Sequence, residues 1–137
     1  MHNFNLLWFT SYASMISSIH AYYKGYYDFH FLDGVVWLTS INYWRKPQNG
    51  IWRNLDIISV YYALGYHLYH ARNAENAVLF YSIMSSSCIL YPLSVYCYIN
   101  NNPTMSTYLH SGLHIGANVA LNILYSGKVY TVEKFIN

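Results

Sequence analysis

The sequence predicts an all-α fold, a multi-span transmembrane helical bundle of about five helices forming a single domain over residues 1–137. Three observations predict it. Hydrophobic residues make up 55% of the chain and charged residues only 9%, where an ordinary soluble domain carries roughly 25% charged residues, so too few charges are present to build a water-facing surface. Apolar stretches of about 16 to 23 residues follow one another along the chain, the length needed to cross a hydrocarbon core about 30 Å thick. The 17 tyrosines suit both the membrane–water boundary and the interior of a helix bundle, and they hold the mean hydropathy down to +0.14. At 137 residues the chain has room for one domain.

The first span is expected from Phe4 to Tyr23. Its opening, MHNFNLLWFT, lacks the basic stretch and small-residue cleavage site of a secretory signal and is expected to be retained. Lys24-Gly25 ends it, and Tyr22, Tyr23, Tyr26 and Tyr27 form an aromatic belt. The second, Phe29 to Trp44, is the weakest, being short and containing Asp33, and suits a tilted or re-entrant segment. The polar loop from Arg45 to Gly50 follows, where three cations, counting Arg53, sit together; the excess of cations places it on the cytoplasmic side. Lys24, Arg72, Lys128 and Lys134 are the cations elsewhere. The third span is Asn54 to His70, closed by the polar turn 71–76. The fourth, Ala77 to Ile99, is the most apolar; its Ser85, Ser86 and Ser87 suit close helix packing, and Pro92 suits a bend. After the turn 100–103, Thr104 is expected to cap a fifth span ending at Tyr125.

The charge excludes one function class. A net charge of +2, with no basic face, is too weak for a nucleic-acid surface. Cys88 and Cys97 share an apolar stretch without C-x-x-C spacing and are expected to be buried thiols.

Ionisable and polar side chains inside a bilayer are costly, so each one within a span is a functional candidate. His110 and His114 stand at i and i+4, one turn apart on one helix face, where both imidazoles can reach a single zinc ion or serve as hydrogen-bonding groups between helices. Asn118 and Asn122 continue that face. Asp56 lies near the start of the third span, where it can act as a proton carrier or pair with Arg53. Ser40 and Asn42 stand at the end of the second span. His20, His30, His67 and His70 are further imidazoles near span ends.

A serine near the end of one span, an aspartate early in the next and H-x-x-x-H in the last resemble the superfamily of alkaline ceramidases and the adiponectin and progestin receptors. The matching residues are Ser40, Asp56, His110 and His114. The resemblance implies a membrane hydrolase in which histidines hold zinc, zinc-bound hydroxide attacks a lipid amide or ester, Ser40 holds the oxyanion and Asp56 carries the proton. It departs from the family in two ways: the family has seven spans, and where it has a histidine one turn after the serine this chain has Trp44. Either the third ligand comes from His20, His67 or His30, or the site is degenerate and inactive. Two other function classes fit the same residues. One is a non-catalytic accessory membrane protein, for instance a virally encoded component of a host membrane, whose polar helix face meets partner chains. The other is a haem anchor, with His67 or His20 facing His114 across the iron. A proton path through Asp56, the histidines and the asparagines is a further reading.

Overall fold

The computed structural model describes residues 4–130, and every long element in it is an α-helix: α1 Phe4–Tyr23, α2 Tyr27–Arg45, α3 Ile51–His70, α4 Ala77–Ile99 and α5 Pro103–Ser126. A short 3-10 turn, Ala71–Asn73, links α3 to α4. The expected spans therefore fall on helices, with three shifts. Helix α2 starts two residues earlier and ends one later than expected, a continuous 19-residue helix and not a short re-entrant segment. Helix α3 begins at Ile51, so that Arg53 is helical and Asp56 lies in the second turn. At the start of α5 it is Asn102, not Thr104, that caps: its side chain accepts a hydrogen bond from the Met105 amide, with Pro103 at the first helical position. Lys134 lies outside the described residues.

The helices are about 28 to 36 Å long at 1.5 Å per residue and alternate in direction. Their packing order is α4, α5, α1, α2, α3, so the fifth helix in the chain lies between the first and the fourth. The α4–α5 seam is made by small residues: Ser94 donates to the Ser106 carbonyl at 3.0 Å, and Ser87 lies against Gly116 so closely that a Cβ there would collide with its hydroxyl. Of the three serines expected to pack, Ser87 does so, while Ser85 and Ser86 are exposed. Cys88 and Cys97 are half-buried free thiols, less enclosed than expected, although Cys88 packs against the core.

Along α1 a buried stripe of Leu7, Ser11, Ser14, Ser17, Ser18 and Ala21 recurs at three- and four-residue steps and lets α2 and α5 approach closely. The interior is unusual in its polarity. Among the described residues, fifteen buried side chains are polar or charged and eleven are hydrophobic. Large apolar side chains instead crowd the exterior, with Tyr23 and Val78 each 82% exposed. Helix α4 is long and apolar enough to cross a membrane, by length and composition; among the described residues it alone meets that measure.

Candidate functional site

The polar interior divides into four groups of side chains. The first joins α2 to α3. Ser40, near the end of α2, donates to Asp56 Oδ1 at 2.5 Å, and Thr39 donates to the same oxygen at 3.2 Å. Thr39 Oγ1 is also 2.8 Å from Ser59 Oγ. All of Thr39, Ser40 and Asp56 are buried. This pairing arises because α2 and α3 are antiparallel and share a five-residue loop: the last turns of one meet the first turns of the other. Asp56 thus takes its side-chain partners from α2, and Arg53 is near the Tyr43 side chain instead.

The second group holds the histidine pair. The rings of His110 and His114 are 4.9 Å apart and mutually perpendicular. Trp44, one helical turn beyond Ser40, puts its indole against both, 5.2 Å from the His110 ring and 6.4 Å from that of His114. Tyr91 of α4 closes the other side of His110 at 5.8 Å, and Thr10 Oγ1 lies 3.0 Å from His114 Nδ1. Trp44 thereby stands where the resemblance would put a third ligand. His20 and His67 do not fill that role. His20 Nδ1 donates to Asn122 Oδ1 at 2.7 Å, eight residues, or about 12 Å, further along α5 than His114. His67 is bound near Tyr125, about 16 Å further along. His30 lies with Ser18, 2.9 Å from its hydroxyl. Among the described residues no group of three His, Cys, Asp or Glu side chains is placed to hold a metal ion. The two imidazoles, walled by an indole, are one short of the three protein ligands that a catalytic zinc takes. The same offsets keep His20 and His67 from sharing a depth with His114, as two axial haem ligands must.

The third group is one that sequence reasoning missed. Tyr125 donates to Asp33 Oδ2 at 2.5 Å, and its hydroxyl is 2.7 Å from His67 Nε2, which is 3.4 Å from Asp33 Oδ1. His67 Nδ1 donates to the Ala63 carbonyl at 2.6 Å, and the Phe29 ring stacks on the imidazole at 4.7 Å. These positions serve equally a neutral acid beside a neutral imidazole and a carboxylate beside an imidazolium, since one proton lies between them in either case. The group ties α2, α3 and α5 together at the end opposite the histidine pair. Its signals in the sequence are Asp33, an acid within an apolar stretch, and His67, which is expected as a metal ligand and instead meets Asp33 and Tyr125.

In the fourth group, between α1 and α5, Ser17 donates to Asn118 Oδ1 at 2.6 Å and Asn122 Nδ2 donates to Ser17 Oγ at 3.0 Å. The polar face that continues from His114 through Asn118 and Asn122 is thus spent on binding α1. Comparison with family models, with curated proteins and with solved structures gives no match for the chain.

Proposed function

We propose that the chain is a multi-pass membrane protein with all five helices in lipid, and that its interior is a metal-free, non-hydrolytic version of the ceramidase-like arrangement. The observation that carries the membrane reading is the reversal of polarity described above. In water, exposing so many Phe, Ile, Leu and Tyr side chains while burying serines, asparagines and two aspartates forfeits the driving force for folding. In lipid the same distribution is favourable, because the apolar exterior is solvated by acyl chains and the buried carboxylates, imidazoles and amides find partners inside. Among the described residues, charged side chains other than the buried Asp33 and Asp56 fall at helix ends and in the links between helices, where headgroups lie.

The metal-free reading is supported by Trp44. An indole has one N–H donor and no lone pair for a metal, so the place that would complete a zinc site is held by a group that cannot coordinate. Ser40 and Asp56 satisfy one another, and Thr10 engages His114. The function this supports is that of an accessory membrane component whose polar interior gives the bundle its specific packing.

The test is topology. With Cys88 and Cys97 replaced by Ala, single cysteines introduced by Gln48→Cys and Lys24→Cys are expected to react with a membrane-impermeant maleimide from opposite sides of sealed vesicles. Labelling of both from one side would overturn the five-span reading.

A further inference from the structure

A pocket of about 320 Å³ opens at the end of the bundle where α2 stops, lined by Asn5 and Trp8 of α1 and by Trp44, Arg45 and Lys46 of α2 and its loop. We propose that this pocket binds the phosphate-bearing headgroup of an anionic phospholipid. The proposal rests on the membrane-spanning reading and names a ligand for it.

The volume lies at the small end of the range of ligand sites, enough for a headgroup. Both cations are exposed, and neither has an acidic partner among the described residues: the one Asp–His contact there, between Asp33 and His67, is at the far end. Asp28 and Glu75, the exposed acids among the described residues, also belong to the far end, and Asp56 is turned inward to Ser40. Among the described residues the near end therefore presents uncompensated positive charge. The two indoles flanking these cations are the side chains that favour the headgroup level. From Trp8 an aromatic ribbon runs inward along the α1–α2 seam, to Tyr12 at 5.0 Å between rings and on to Trp37 at 6.0 Å. Trp37 is two turns, or about 10 Å, deeper than Trp44, so a lipid whose phosphate sits on Arg45 and Lys46 lays its chains against that ribbon. At the opposite end the Arg72 guanidinium is spent on the Tyr69 ring, 4.0 Å away, and on the Tyr69 carbonyl.

The test is lipid retention by the full chain purified in detergent, titrated with phosphatidylglycerol and read by native mass spectrometry. One lipid per chain is expected. Arg45→Gln with Lys46→Gln is expected to weaken retention about thirtyfold, about 1 kcal/mol being typical for each cation at an anionic surface. The charge-matched control, Lys24→Gln with Arg72→Gln, is expected to leave it unchanged, and Arg45→Lys is expected to retain the lipid, so that a folding defect in the first pair is recognised. Equal retention by the Arg45/Lys46 pair and the wild type, equal binding of phosphatidylcholine, or competition by inorganic phosphate as strong as by the lipid would overturn the headgroup assignment. Recovery of the chain from the aqueous fraction without detergent would instead overturn the membrane reading.

Discussion

Trp44 is the residue on which the chemistry turns. It lies on the face of α2 that carries Ser40, and it puts the edge of an indole against both His110 and His114. Replacing it by a histidine supplies a third imidazole one turn beyond Ser40. Trp44→His is accordingly expected to bind zinc at about one ion per chain, with the wild type and Trp44→Phe binding none; metal analysis of the detergent-purified proteins checks this, and stoichiometric zinc in the wild type would refute the metal-free reading. Residue-level contacts differ in how legible they are. His110 and His114 can be paired from their spacing alone, since i and i+4 share a helix face whatever the tertiary structure. Ser40 and Asp56 can be paired because a short loop forces adjoining helix ends together. The Asp33–His67–Tyr125 group cannot, because it joins three helices across as many as 92 positions, and no local rule sets that distance.

Among the elements, α5 shows how small residues set helix spacing. Gly116 faces Ser87, and Gly112 faces Leu90, whose side chain a Cβ would approach to 3.1 Å. Gly116→Ala pushes a methyl group into the Ser87 hydroxyl and is expected to cost about 1–3 kcal/mol, the usual range for overpacking, measured as a lower Tm in detergent. Adding Ser87→Gly opens the space and is expected to recover most of the loss; no recovery would mean that the close approach at this seam does not set the spacing. Helix extents are legible in the sequence where turn residues bound an apolar run: α1 and α4 begin and end at the expected residues. They are obscured at the start of α3, where Arg53 and Asn54 separate the apolar pair Ile51-Trp52 from the rest of the run although all four residues are helical. Asn102 escapes notice as a cap for a related reason: in a run of three asparagines, composition alone does not say which one faces the first free amides.

At the scale of the whole molecule, helix number and class are legible, and neighbour order is not. Apolar length fixes how many helices form, whereas which helix stands beside which depends on complementary faces, such as the serine stripe of α1 meeting Asn118 and Asn122. Helix α5, fifth in chain order, is the one against which both α1 and α4 pack, and the strand-like link between Ala74 and Val129 then fastens the stretch just past α5 to the α3–α4 turn. During synthesis, therefore, α1, α2 and α3 can assemble as they emerge, while α4, held to α3 near their turn by the Tyr81 hydroxyl on the Leu68 carbonyl, waits for its main neighbour. A chain halted before Pro103 is expected to leave the turns flanking α4 open to protease while α1 to α3 resist it, as limited proteolysis of the truncated and full-length chains would report. The ribosome thus delivers the keystone after the stones it holds, and quality control has until then a half-covered hydrophobic helix to guard.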